Sequence, residues 1–139
     1  MRVLFDTNIF LDLLMDRAPF AEAAVELFSR VEEGTIVGYV CSTSITTIYY
    51  IASETIGTVR AQEEVKKLLN LFEVAPVNRA VLESALTAGF ADFADFEDAV
   101  IYAAAWQVDV EAIVTRNQKN FKKSKISVYS SAELVNIML

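Results

Sequence analysis

The sequence contains no histidine and a single cysteine among its 139 residues. Without histidine, the commonest general base and the commonest transition-metal ligand are both missing. The lone Cys41 excludes an intramolecular disulfide and a zinc site built from several cysteines. Any chemistry must therefore use carboxylates, hydroxyls, amides or amines. Carboxylate and water ligands favour Mg²⁺ or Mn²⁺ over softer metals.

Long hydrophobic runs are also absent. Charged residues interrupt every apolar stretch well short of the roughly 20 residues that a membrane-spanning helix needs. The amino terminus lacks the long apolar core of a secretory signal. These features predict a soluble cytoplasmic protein with no membrane partner. Because 54% of the residues are hydrophobic, we expect one domain with one core over residues 1–139.

Basic residues are fewer than acidic ones, 12 against 19, and the net charge is −7. This balance argues against nonspecific duplex binding by the whole surface, because phosphate affinity comes mainly from Lys and Arg. Five of the twelve basic residues nevertheless fall in one ten-residue stretch, at Arg116, Lys119, Lys122, Lys123 and Lys125. Such a run is usually a solvated loop, and a nucleic-acid-binding loop is the alternative.

Apolar runs that suit buried strands alternate with segments of helical periodicity. Strands are predicted at residues 1–5, 36–41, 111–115 and 126–129, and residues 72–75 form a short strand or an extended entry to Pro76. The predicted helices follow the first strand, open near Pro19, cover 45–53 and 59–71, run from about 77 to Gly89, begin near Asp95, and follow a cap at Ser130. This alternation predicts a mostly parallel sheet covered on both faces by helices.

Polar residues follow the predicted strands where parallel strands would end at one edge of the sheet. Asp6 follows the first strand, a turn at 42–44 follows the second, and Asn117 follows another. The acidic helix start from Asp95 to Asp98 can face them. Converging carboxylates raise one another's pKa unless a divalent ion binds them, so the pattern favours a metal site. Helix capping alone is the alternative explanation for Asp6.

Three segments, in this order, resemble the PIN-domain family, and within it a VapC-like prokaryotic subgroup. They are VLFDTNIFLD at residues 3–12, DFEDA at 95–99 and IVTRNQKNF at 113–121, and residues 49–51 after the second strand also fit. The resemblance covers essentially the whole chain. It implies a Rossmann-like three-layer α/β/α domain with a mostly parallel central sheet.

The resemblance also implies an activity and partners. Family members are typically Mg²⁺- or Mn²⁺-dependent ribonucleases, often dimeric and often toxins neutralised by an antitoxin. We therefore expect RNA as substrate, a homodimer and an antitoxin partner. Asp6 and Asp98 match two metal-binding and catalytic acids of the family. Further candidate metal ligands are Asp95, Asn117 and Asn120, and the candidate substrate-binding residues are Arg116, Lys119, Lys122 and Lys123.

Two positions depart from the family pattern. An acid usually stands where this chain has Thr47, and another at the position of Asn117 or Asn120. Amide oxygens can coordinate a metal but bring no negative charge. Asp95 or Glu97 could compensate. Two hypotheses stay open: a metal-dependent endoribonuclease, weakened or not, and a catalytically inactive PIN-like domain that binds RNA or protein.

Asp12 and Cys41 have structural interpretations. Asp12 lies nearly two helical turns after Asp6, and we expect it to be peripheral or a structural partner for Arg17. Cys41 has no histidine to activate it, which favours a small buried core residue over a reactive thiol.

Two further functions are less favoured than nuclease activity. A haloacid-dehalogenase-like phosphotransferase would also place an aspartate after the first strand, but its usual second aspartate is Asn8 here. Aromatic residues could stack on unpaired bases, although aromatics at helical spacing are more often part of a core. The residues concerned are Tyr49, Tyr50, Phe96 and Phe121.

Overall fold

The structure, a computed structural model, describes residues 1–87, 93 and 95–139. This part of the chain contains five strands: β1 Arg2–Phe5, β2 Val37–Cys41, β3 Glu73–Ala75, β4 Ala112–Val114 and β5 Ser127–Tyr129. It also contains seven α-helices: α1 Thr7–Leu14, α2 Ala21–Glu32, α3 Ser42–Ile56, α4 Thr58–Leu71, α5 Arg79–Ala85, α6 Phe96–Gln107 and α7 Ser131–Ile137. A short 3-10 helix covers Gln118–Phe121. Within these ranges no helix combines the length and the apolar character that crossing a membrane requires.

The strands form one sheet in the order β3-β2-β1-β4-β5, and each pair of neighbours is parallel. Phe5 on the central strand is level with Val40 on β2 and with Val114 on β4. The carboxyl ends of these three strands therefore meet at one edge. The chain crosses from one side of β1 to the other between β3 and β4, and open α/β sheets bind ligands at such a switch point. The predicted three-layer α/β/α architecture is confirmed.

Alternate side chains of β1 enter the cores on the two faces of the sheet, as the period of a strand requires. Val3 and Phe5 belong to a core shared with α1, α2, α3, α4 and α7, whereas Leu4 belongs to a second core shared with α5 and α6. Because both faces are covered, β1 is a continuous hydrophobic run rather than an alternating one.

Four phenylalanines fix the position of α1 on the sheet. The rings of Phe5, Phe10, Phe28 and Phe72 have centroids between 5.0 and 5.9 Å apart, and each such pair contributes roughly 0.5–1.5 kcal/mol beyond its burial. Gly38 makes room for them, since a Cβ at Gly38 would lie 2.5 Å from Phe72 Cε2. Asp6, which directly follows Phe5, is therefore attached to a tightly packed part of the core.

Two predicted boundaries after β2 and near Pro19 are wrong. The segment at 42–44 is the first turn of α3 rather than a separate turn, because the chain passes directly from Cys41 into the helix. Its hydroxyls are engaged there: Ser42 Oγ accepts a hydrogen bond from the backbone N–H of Val77 at 3.0 Å. Pro19 precedes α2, which begins at Ala21.

The helix predicted from about 77 is shorter than expected. Asn78 caps it by accepting a hydrogen bond from the backbone N–H of Val81 at 3.0 Å. The helix therefore starts at Arg79 and excludes Val77. Its last residue is Ala85, and the predicted end at Gly89 lies outside the described residues.

Candidate active site

Asp6 is held at the edge of the sheet by two hydrogen bonds to its carboxylate. It follows β1 and caps α1, so Oδ1 accepts from the backbone N–H of Thr7 at 2.8 Å. Oδ2 accepts from Thr115 Oγ1 at 2.7 Å. The side chain is only 5% exposed. One donor on each oxygen fixes the orientation of the carboxylate.

Sequence reasoning missed Thr115, which reaches Asp6 from the neighbouring strand. Thr115 is fully buried just after β4, and its backbone N–H donates to the Tyr129 carbonyl oxygen at 2.9 Å. Its Oγ1 also accepts from the backbone N–H of Asn117 at 3.0 Å. The available signal was a hydroxyl residue directly after a buried strand, two positions before a candidate ligand. Its role becomes visible only once β1 and β4 are known to be neighbours.

The start of α6 brings further acids toward Asp6. Asp95 caps this helix by accepting a hydrogen bond from the backbone N–H of Asp98 at 2.8 Å. Asp98 is 8% exposed, and its Oδ2 has no hydrogen-bond partner in the part of the chain that the structure describes. A buried carboxylate oxygen without a donor is costly. It is an acceptor available for a ligand.

These carboxyl groups perturb one another electrostatically. Burial, followed by the charges of Asp95 and Asp6, raises the pKa of Asp98 to about 7, against a smaller lowering by a hydrogen bond from Asn120. Burial also raises the pKa of Asp6, only partly opposed by the bonds from Thr115 and Thr7. The pKa of Glu97 is raised by burial, Asp6 and Asp95. Burial is the main cause of these raised pKa values, and the negative charge of the neighbouring carboxylates adds to it, so a bound cation would be favoured here.

A cavity of about 240 Å³ at this edge brings together most of the predicted site residues. The acids and amides that line it are Asp6, Asp95, Glu97, Asp98, Asn8, Asn117 and Asn120. Thr47, at the position where the family usually has an acid, lines it as well. Asp95 and Glu97 therefore lie where they could replace the missing charge in part.

The lining offers carboxylate and amide oxygens as ligands for a hard cation. Among the described residues, no group of three or more His, Cys, Asp or Glu side chains is arranged to hold a metal ion. A metal would need Asp6 and Asp98 together with amide oxygens from Asn117 or Asn120 and water. The unpartnered Asp98 Oδ2 and the raised pKa values fit such a cation. Oxygen-rich donor sets of this kind suit Mg²⁺ or Mn²⁺.

The predicted substrate-binding residues divide into two groups. Lys119, Lys122 and Lys123 are exposed and lie on or just after the 3-10 helix that carries Asn120 to the cavity. Arg116 does not line that cavity. Its Nε lies 3.3 Å from Asp12 Oδ2, and its guanidinium carbon lies 4.1 Å from the centroid of the Phe20 ring.

Asp12 is a fully buried residue that does not line the cavity. Its carboxylate lies between Arg116 at 3.3 Å and Arg17 at 4.0 Å, so the expected pairing with Arg17 is confirmed, in a more buried setting. Burial raises the pKa of Asp12, and the charges of Arg116 and Arg17 oppose this only in part. Sequence periodicity could not reveal this pair, because Arg116 lies more than one hundred residues away.

The remaining candidates are mostly structural. Cys41 is fully buried and Phe121 is 2% exposed, so both belong to the core. Tyr49 packs against the core, whereas Tyr50 and Phe96 are more than half exposed.

Comparison with known proteins agrees with this architecture. The chain is 28% identical over 134 residues to "Ribonuclease VapC1" of Aquifex aeolicus, covering 95% of this chain and 92% of the relative. A "toxin-antitoxin complex from Klebsiella pneumoniae" has a similar fold, with a TM-score of 0.70, 22% identity and coverage of 93% of this chain and 97% of that one.

A second solved structure also shares the fold. It is Mycobacterium tuberculosis VapC20, described as a "Sarcin-Ricin loop cleaving toxin", with a TM-score of 0.63, 14% identity and coverage of 80% of this chain and 86% of that one. The sequence profile described as "PIN domain" matches residues 2–119, which include β1, β4 and every described residue that lines the cavity except Asn120. On this match, the chain belongs to the PIN-domain family.

Proposed function

We propose that the chain is a divalent-metal-dependent endoribonuclease of the PIN-domain toxin type, which hydrolyses RNA phosphodiester bonds with Mg²⁺ or Mn²⁺. The observation that carries this proposal is the convergence of four acids on one cavity, two of them buried, Asp6 and Asp98, with raised pKa values and an unpartnered Asp98 oxygen. A structural cluster of acids would be expected to include basic partners, and none lines this cavity among the described residues.

Asp6 and Asp98 are the principal metal ligands in this proposal, with Asn117, Asn120 and Asp95 as candidates to complete the set. Held by these residues, a divalent ion would supply positive charge next to the scissile phosphate and would lower the pKa of a coordinated water. The chain fixes its own ligands: Thr115 and Thr7 orient Asp6, and Asn120 interacts with Asp98.

Substrate binding uses another feature of the same edge. Lys119, Lys122 and Lys123 extend from the 3-10 helix beside the cavity and bind the phosphates flanking the scissile bond. Because the net charge is −7, phosphate binding by the whole surface is disfavoured, and this basic segment is the proposed RNA contact.

Similar proteins support the substrate and the partners. The Aquifex relative is named a ribonuclease, and the Mycobacterium protein is described as a sarcin-ricin loop cleaving toxin. The Klebsiella neighbour is a toxin-antitoxin complex. We therefore propose that this chain acts on RNA, assembles as a homodimer, and is inhibited by an antitoxin protein.

A second candidate is a PIN domain that has lost catalysis and binds RNA or protein instead. It is favoured by one observation: Thr47, Asn117 and Asn120 line the cavity without adding negative charge. Such a protein would form a stable complex with its partner but would show no turnover.

Cleavage of a panel of structured and single-stranded RNAs, with Mn²⁺ and then Mg²⁺, tests the first candidate against the second. The comparison is with an Asp6→Asn, Asp98→Asn double variant, which keeps the α1 cap because Asn caps helices as well as Asp does. Asp109→Asn is a matched control, because Asp109 is an exposed acid with a positive φ of 54° that Asn accepts.

The proposal predicts cleavage that requires metal, persists in Asp109→Asn and disappears in the double variant. If the wild type and both variants are folded and none of them cleaves RNA, a binding domain without catalysis is the better explanation. Cleavage that survives in the double variant would show that the activity arises elsewhere or from a contaminant.

A further inference from the structure

Asp12 holds a buried negative charge at the last turn of α1, away from the cavity that contains Asp6. Its residue exposure is 0%, and it does not line the cavity. Two arginines approach its carboxylate, Arg116 at 3.3 Å and Arg17 at 4.0 Å. Neither carboxylate oxygen makes a well-aligned hydrogen bond within the described residues. The group is therefore held by charge attraction inside the protein, where solvent screens that attraction poorly.

Arg116 lies between two residues that serve the candidate active site. Thr115 donates to Asp6 Oδ2 at 2.7 Å, and Asn117 lines the cavity. The side chain of Arg116 does not line the cavity that contains Asp6. It packs over the ring of Phe20 and lines a separate cavity with Ser130 and Ser131. An ion pair that fixes Arg116 therefore restrains Thr115 and Asn117 as well.

Stability alone is a weak explanation for this ion pair. Burying two charges costs desolvation free energy that their attraction repays only in good geometry, and apolar pairs of similar volume often stabilise a protein at least as well. The pair does, however, join the end of α1 to the end of β4. These are the two elements that present Asp6 and Thr115 to each other.

We propose that Asp12 is a positioning residue of the candidate active site: through Arg116 it fixes residues 115–117, so that Thr115 orients Asp6 and Asn117 faces the cavity. The kinetic part of its test rests on the proposed ribonuclease function. The structural part does not, because it can be measured in the metal-free protein.

Asp12→Asn is the main variant. It keeps the volume of the side chain and removes the charge, and a fully buried residue cannot contact RNA. Partners that orient metal ligands typically account for about 10–100-fold in activity, so we expect kcat to fall about 10–100-fold. We expect KM for RNA to stay the same or to fall, because the freed Arg116 adds a positive charge near the lysines. Loss of a direct RNA contact would instead raise KM.

Arg17→Met and Arg116→Met form a matched pair, because each removes one cation from the same carboxylate. Only Arg116 lies between Thr115 and Asn117. Positioning therefore predicts a fall in kcat for Arg116→Met and near wild-type kcat for Arg17→Met, measured on samples whose folded fractions are equal by circular dichroism. Equal falls in both variants, or falls that follow the melting temperature alone, would overturn the inference.

Amide NMR of the metal-free protein provides the readout that does not depend on activity. We expect the ¹H-¹⁵N signals of Thr7, Thr115 and Asn117 to shift in Asp12→Asn and to stay in place in Arg17→Met. In Arg116→Met, residues 115 and 117 adjoin the substitution, so the signal of Thr7 is the readout and should shift. Unshifted signals in Asp12→Asn and an unshifted Thr7 signal in Arg116→Met would overturn the inference even if activity fell. If the wild type cleaves no RNA, the proposed function fails, and these signals still decide whether Asp12 positions the loop. If Asp12→Asn does not fold, Arg116→Met carries the test.

Discussion

Asp6 and Asp12 are buried aspartates at the two ends of the same short helix, and their surroundings are electrostatically opposite. Asp6 receives hydrogen bonds from Thr7 and Thr115, and the nearby charge that affects its pKa is the acid Asp95. Asp12 faces two arginines. One carboxylate is oriented but not neutralised, while the other is neutralised inside the chain. Burial alone therefore does not identify a functional acid; the missing counter-charge does.

The largest expected effect comes from removing one of the carboxylates that line the cavity without a basic partner there. Asp98→Asn takes away a proposed metal ligand and also relieves repulsion with Asp95 and Asp6. We expect RNA cleavage to fall by more than about 100-fold, beyond the usual effect of residues that only support a ligand. We also expect the metal-free protein to melt several degrees higher at pH 8. Cleavage assays and thermal unfolding in EDTA measure the two effects. A variant that loses activity and stability together would indicate a structural acid instead.

A smaller loss is expected when Asp6 keeps its charge but loses its orientation. Thr115→Val has nearly the same shape and removes the Oγ1 donor to Asp6 and the acceptor for the Asn117 N–H. We expect activity to fall about 10–100-fold and the free energy of unfolding to fall by about 1–3 kcal/mol, because buried polar groups lose partners. Thr115→Ser retains the hydroxyl and should recover most of the activity. A larger loss in the Ser variant than in the Val variant would show that the methyl group, rather than the hydrogen bond, matters.

In the metal-free protein, stability should depend on pH through Asp98, an acid that no basic residue neutralises among those lining the cavity. The pKa of Asp98 is raised from 3.8 to about 7, so between these values the folded chain binds more protons at this site than the unfolded chain. The free energy of unfolding should therefore fall as the pH rises from about 4 to about 7. Melting temperatures measured in EDTA across this range test the slope. Asp98→Asn should reduce the slope of melting temperature against pH, and Asp109→Asn should leave that slope unchanged. If the slope is unchanged in Asp98→Asn, other titratable groups cause it.

Much of this arrangement could be predicted from local sequence. The run from Val3 to Phe5 indicated a buried parallel strand, and Asp6 directly after it indicated a strand-to-helix junction at the edge of the sheet. Asp95 at the start of an alanine-rich helix indicated the cap of α6. These predictions succeed because each depends on residues that are neighbours in the chain.

The parts that could not be predicted depend on distant residues. Thr115 contacts Asp6 only because β4 pairs with β1, and Arg116 neutralises Asp12 only because the same pairing brings the end of β4 beside α1. No periodicity encodes a partner more than one hundred residues away. Arg116 consequently looked like one member of a basic, solvated run, although its guanidinium is used inside the protein.

The smallest expected effect comes from an ion pair that looks stronger than that of Asp12 when distance alone is considered. Arg79 Nε lies 2.7 Å from Glu83 Oε1 on α5, against 3.3 Å for Arg116 and Asp12. The side chains of Arg79 and Glu83 are 92% and 64% exposed, so water already solvates both charges. Glu83→Gln should change the free energy of unfolding by no more than about 0.5 kcal/mol and leave RNA cleavage unchanged. Urea unfolding of Glu83→Gln and of Asp12→Asn compares the two losses in the free energy of unfolding. If Glu83→Gln were the more damaging of the two, contact distance rather than burial would govern these charges, and the contrast between Asp6 and Asp12 would lose its physical basis.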